Sequence, residues 1–103
     1  ATGRFDEARA LLQDLSGTRA SDGRVWLSFG QLERAVGEPM QARAHLERAI
    51  ALEPDLYEAH LELGATCRAL DDRACAVRSY RRALALARYS PRALAALAEL
   101  GAG

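Results

Sequence analysis

The chain has 103 residues, half of them hydrophobic, and sets 14 basic side chains against 14 acidic ones. That length suits one domain, and a net charge of zero removes the electrostatic case for a nucleic-acid partner. No run of about 18 apolar residues exists, so no membrane span is expected. Residues 1–20 are charged and amphipathic rather than signal-like, which favours the cytoplasm.

Ala and Leu make up most of the hydrophobic half, with few β-branched residues, a composition that favours helices over strands. All 14 basic residues are Arg, Lys and Asn do not occur, and Ile50 is the single isoleucine. Those three residue types use AT-rich codons, so the expected source is a GC-rich bacterium. A gene of ordinary base composition would remove that expectation.

Residues 1–3 read as a frayed start. Gly3 and Arg4 read as a turn into a helix ending near Leu15, with Phe5, Ala8, Leu11, Leu12 and Leu15 at helical spacing. Ser16 to Gly23 is the most loop-like stretch. Ser21 or Asp22 suits an N-cap for a helix over 24–36, its oxygen accepting from the free amides of the first turn. Gly37 ends that helix, and Pro39 suits the first turn of the next, where its missing N–H costs nothing. This second helix runs to about Leu52 and stops before Pro54. Asp55 is expected to cap the following helix, with Glu58 three residues on in a capping-box-like arrangement. Helices over 56–69 and 73–88 turn at Leu70-Asp71-Asp72. Ser90-Pro91 opens a last helix from Arg92 to about Leu100, closed by Gly101.

The stretch from Trp26 to Pro54 returns 34 residues later. Leu27, Gly30, Arg34, Ala35, Ala42, Arg48, Ala49, Ala51 and Leu52 recur without a gap as Leu61, Gly64, Arg68, Ala69, Ala76, Arg82, Ala83, Ala85 and Leu86. A fixed period of this size marks an array of helical hairpins. The phase extends outward, from Gly37, Ala42 and Leu46 back to Gly3, Ala8 and Leu12, and from His60, Leu63 and Gly64 on to Leu94, Leu97 and Ala98. The organisation predicted is a second helix with its loop (1–22), two full hairpins (23–56 and 57–90) and a first helix (91–103). The first hairpin's opening helix is absent at the start, so the face it would cover belongs either to a longer array or to another surface.

These residues resemble the tetratricopeptide repeat family: Trp26, Phe29, Gly30, Ala42, Leu46, Ala49 and Pro54 in one copy, and His60, Leu63, Gly64, Cys67, Ala76, Tyr80 and Ala83 in the next. Glu33 departs from the family's preferred Tyr, and Arg88 stands where Pro is expected. The resemblance implies an all-α fold, a right-handed superhelical array of about six helices in antiparallel hairpins. Glycine inside a helix costs about 1 kcal/mol relative to alanine, so Gly30 and Gly64 imply close helix approach, with Ala8, Ala42 and Ala76 opposite. Trp26, Phe29, Leu46, Leu63 and Tyr80 are expected to fill the core, and Phe5, Tyr57 and Tyr89 to cover joints between hairpins.

By the same resemblance, the first helices line a concave face that holds an extended peptide or a partner's helix. The positions here are Arg24, Leu27, Gln31, Arg34, Glu58, Leu61, Glu62, Ala65, Arg68 and Arg92; a solvated face is the competing reading, because mixed charges are usually solvated. Charge reversal at Arg34 and Arg68 should weaken an acidic ligand. One subclass clamps the C-terminal carboxylate of chaperones, and its matching places are Leu27, Gln31, Glu62, Arg92 and Ala96. Only Arg92 fits, and Glu62 would repel a carboxylate, so a chaperone-tail adaptor is not expected.

Nothing in the sequence reads as an enzyme's site. His45 and His60 have no nucleophile or metal set around them, and no phosphate-binding glycine loop or paired-Cys metal spacing occurs. Neither a cofactor nor a metal is expected. Cys67 and Cys75 flank the turn at Asp71 symmetrically; a disulfide fits that spacing, while a reducing cytosol favours two small apolar packing residues. The leading expectation is a non-enzymatic scaffold that binds protein or peptide. The alternatives are the repeat portion of a larger enzyme or regulator, and a self-assembling module. The last helix is apolar where terminal helices of arrays usually present a polar face, so Leu94, Leu97 and Leu100 are candidates for homo-oligomer contacts.

Overall fold

The computed structural model describes residues 2–102, with side chains from Arg4 onward. Six α-helices follow in chain order: α1 (Thr2–Thr18), α2 (Gly23–Ala35), α3 (Pro39–Leu52), α4 (Tyr57–Ala69), α5 (Arg73–Leu86) and α6 (Pro91–Glu99). No strand occurs among the described residues. Helices α2 and α3 pair as one antiparallel hairpin and α4 and α5 as the next, with α1 packed before the first and α6 after the second.

Local chemistry places most boundaries as the sequence predicts. Asp22 caps α2, accepting from the Arg24 amide, and Ser90 caps α6, accepting from the Ala93 amide. Pro39 and Pro91 open α3 and α6 in the first turn, where no N–H is needed. Gly37 between α2 and α3 adopts φ 83°, and Asp71, one period later between α4 and α5, adopts φ 58°. Both hairpins thus turn through the left-handed region, which glycine enters freely and aspartate tolerates better than most residues.

Two local expectations need correction. Helix α1 begins at Thr2 rather than after a turn at Gly3, and continues past Leu15 to Thr18. Asp55 does not cap α4: the N-cap is Leu56, without a side-chain bond, and the exposed Asp55 carboxylate instead faces Arg82 at 4.0 Å. The Pro54 carbonyl in the same linker accepts from His60 Nε2 at 2.8 Å.

The hairpins close on the periodic residues. Ala42, Ala76, Ala49 and Ala83 are fully buried, and so is Leu46. A Cβ built on Gly30 would fall inside the contact distance of Leu46 Cγ, and one on Gly64 would come within 2.8 Å of Tyr80 Cε2. Leu46 and Tyr80 occupy the same phase, so each hairpin seats one large second-helix side chain on one first-helix glycine. Phe29 and Leu63 are buried as expected, and Trp26 is half-buried. Tyr57 packs on the core with its hydroxyl against Ser90 Oγ, and Phe5, though partly exposed, lines the groove between α1 and α2, but Tyr89 is exposed and covers no joint.

Cys67 and Cys75 form a disulfide, with Cα atoms 5.8 Å apart. The reading as two packing thiols is therefore corrected. The hairpin turn brings the ends of α4 and α5 within the range a disulfide spans, and both sulfurs are buried.

Ion pairs repeat with the same period. Arg9 meets Glu38 at 2.8 Å, and Arg43, 34 residues on, meets Asp72 at 3.1 Å. Each pair ties a second helix to the next hairpin's turn. Asp72 also caps α5 by accepting from the Cys75 amide. That backbone bond, and then Arg43, hold its carboxyl below the usual carboxylate range. A depressed folded-state pKa contributes stability above the unfolded value and loses it as pH falls through the folded one. Thermal melts between about pH 2 and 5 should therefore show a shallower acid loss in Asp72→Asn than in the parent; identical slopes would remove this role.

Candidate functional site: the first-helix face

The face expected to bind runs across α2, α4 and α6. Arg24, Gln31, Glu58, Arg68 and Arg92 are exposed on it, and Arg34 and Ala65 are half-buried. Leu27, Leu61 and Glu62 are buried, which corrects their reading as presented side chains. The two leucines join the main hydrophobic core. Of the proposed stripe, Arg24, Gln31, Arg34, Glu58, Arg68 and Arg92, together with Ala65, remain to meet a ligand.

The charged ones are already paired across neighbouring first helices. Arg24 meets Glu58 at 3.3 Å, Arg68 meets Glu99 at 2.9 Å, and Arg34 and Arg92 meet Glu62 at 2.7 and 3.4 Å. Burial of an unpaired carboxylate is costly, and Glu62 avoids that cost by accepting from one guanidinium on each side. Its own backbone carbonyl accepts from the fully buried Thr66 hydroxyl. The hydrogen bond to Glu99 raises the Arg68 pKa further above its ordinary value, so this guanidinium stays charged. Along the face the pattern is a ladder of alternating charge with exposed ends at Arg24, Glu58, Arg92 and Glu99.

A second cluster lies inside the first hairpin. His45 Nδ1 donates to the buried Glu33 carboxylate at 2.6 Å. The imidazole stacks on Trp26 and lies beside Phe29, with ring centroids 5.5 and 4.8 Å away, and Arg48 covers Trp26 at 4.3 Å. Every polar member has a partner, so the cluster is a packed joint rather than an open site. The sequence signal for it was Glu33 at an aromatic position, matched by a histidine twelve residues on. The Arg9–Glu38 and Arg43–Asp72 pairs were likewise readable, as opposite charges 29 apart that recur after 34 residues.

No group of three or more His, Cys, Asp or Glu side chains able to hold a metal occurs among the described residues. No described helix is long and apolar enough to cross a membrane.

Antiparallel hairpins stacked at a fixed period define an α-solenoid repeat protein. The tetratricopeptide repeat family's model matches residues 23–66, and the fold over the array is that of tetratricopeptide repeat domains. The first such domain of Spaghetti, bound to an HSP90 peptide, is 20% identical with a TM-score of 0.93, covering 97% of this chain and 79% of that one. The Arabidopsis OM64 domain is 16% identical with a TM-score of 0.92, covering 97% of this chain and 83% of its own. PcrH, in complex with the chaperone-binding region of PopD, is 24% identical with a TM-score of 0.79, covering 98% of this chain and 76% of that one. No curated protein sequence matches the chain.

Proposed function

We propose that this chain is a non-enzymatic interaction module that holds an extended segment of a partner protein along the α2–α4–α6 face. The observation that carries the reading is the exposed charge ladder on that face, in a fold shared with domains seen bound to a peptide or a partner region. The ladder alternates in sign, so the ligand it suits carries charges of both signs rather than a polyanionic run. Such a ligand exchanges its own pairs for exposed ones, and the modest gain per exposed pair together with the cost of ordering a flexible segment sets a modest affinity. Glu62, negative at the centre and saturated by Arg34 and Arg92, speaks against a terminal carboxylate as the main anchor.

Arg34 is a poor choice for charge reversal, because its partner is buried and two carboxylates would then face each other. Arg24→Glu with Arg68→Glu changes only residues whose partners are exposed. Peptides selected from a random display library on the parent chain should lose about tenfold or more in Kd on this double variant. Unchanged affinity, with the fold intact by circular dichroism, would place the site elsewhere.

A further inference from the structure

The first hairpin fills a place that the second leaves open. In the first, Trp26 stacks on His45 and Phe29 and is covered by Arg48. The indole Nε1 donates to the Ala20 carbonyl at 2.8 Å. One period on, Trp26 becomes His60, Phe29 becomes Leu63 and His45 becomes Ser79, while Arg48 stays an arginine as Arg82. His60 Nε2 donates to the carbonyl of Pro54, the counterpart of Ala20, also at 2.8 Å. His60 thus keeps the tryptophan's anchor with a smaller ring.

The volume given up is a pocket. It measures about 350 Å³ and lies between the two hairpins, walled by His60, Leu63, Cys75 and Ser79, all buried, and by Ile50. That volume is at the lower end for ligand sites. Exposed Arg78 and Arg82 stand at the rim with Glu47. Glu47 is held by Arg43, one turn before it, at 3.6 Å. Arg82 reaches Asp55 at 4.0 Å with both side chains more than half exposed, a pairing worth little. Residues 73–98 carry six arginines and no acidic residue, so the chain is basic here although neutral overall.

We propose that this pocket binds an aromatic side chain of a partner protein, presented on an acidic segment. The ring takes the place that the Trp26 indole holds one period earlier, against His60 and beneath Arg82, where a guanidinium attracts the face of an aromatic ring. Carboxylates flanking the ring meet Arg78 and Arg82. The site lies on the second-helix side of the array, between α3 and α5, and shares no residue with the α2–α4–α6 face. Its charges are exposed, so added salt should weaken binding.

The probe is a capped peptide with one tryptophan between two glutamates on each side, titrated into the whole oxidised chain and read by amide chemical shifts. Saturable shifts centred on His60, Leu63 and Ser79 are expected, with a Kd on the order of 1 mM. Leucine in place of the tryptophan should weaken binding by about threefold to tenfold. Arg78→Glu with Arg82→Glu should weaken it by about tenfold or more. His60→Trp should fold, because the indole can keep the bond to Pro54, and should abolish saturation by filling the pocket. Arg24→Glu with Arg68→Glu should bind the peptide as the parent does, which separates this site from the first-helix face. No saturation up to about 10 mM, equal affinity for the leucine peptide, or binding lost with Arg24→Glu and Arg68→Glu would overturn the proposal. Undiminished binding by folded His60→Trp, or by the Arg78→Glu, Arg82→Glu protein, would do the same. If His60→Trp fails to fold, the arginine variant decides, since both of its changes are exposed.

Discussion

Leu46→Ala is expected to cost about 2–5 kcal/mol of folding stability and to lower the melting temperature by about 10 °C or more. Leu46 is fully buried and lies over Gly30, so truncation leaves a cavity where two helix backbones are already close and cannot close further. The partner change, Gly30→Ala, places a methyl group on Leu46 Cγ. Overpacking of that kind costs about 1–3 kcal/mol, offset by about 1 kcal/mol of helix propensity. The two substitutions should not add. With Leu46 shortened, the new methyl has room, and the double variant should be more stable than the sum by roughly 1 kcal/mol. Denaturant melts of the four proteins measure this directly. Simple additivity would mean that Gly30 serves something other than the seat of Leu46.

Reduction of the Cys67–Cys75 bond is expected to destabilise the chain by about 2–3 kcal/mol, the loop-closure value for a short ring. Melts with and without reductant should differ by that amount. Cys67→Ala with Cys75→Ala should resemble the reduced protein, and a thiol assay on the air-folded parent should find no free sulfhydryl. Equal melting with and without reductant would return both residues to the role of packing side chains.

The period was the most legible feature of the sequence. Gly30 and Gly64 announced where helices approach, and Gly37 and Pro39 announced a turn, because each residue type has one strong backbone reason to be there. The fate of Leu27 and Leu61 was less legible. Helical spacing shows which residues share a face, but not that a neighbouring hairpin will cover part of it. The same limit applied to Leu97, which looked open at the end of the array and is buried in the main hydrophobic core. For Cys67 and Cys75 the sequence offered two readings, and the compartment argument outweighed the geometric one. Asp55 failed as a cap because α4 starts at Tyr57, which puts Leu56 rather than Asp55 in the cap position, a one-residue offset that composition does not specify.

The candidate face was legible in outline and not in its pairing. Arg24, Glu58, Arg68 and Arg92 could be placed on one stripe from their phase alone. That Glu62 would be buried between two arginines required knowing how close α2, α4 and α6 come, which is a property of the stacked array.

The disulfide also bears on how the chain answers mechanical load. It closes a loop within one hairpin, between residues eight apart, and crosses no joint between hairpins. Pulled from its ends, the oxidised chain can part wherever neighbouring hairpins meet, but the turn joining α4 and α5 cannot be drawn out. Its fully extended length should fall short of the reduced chain's by roughly 20 Å, the span of those eight residues less the crosslink. A single-molecule extension trace thus counts, in length rather than in energy, whether the bond is present.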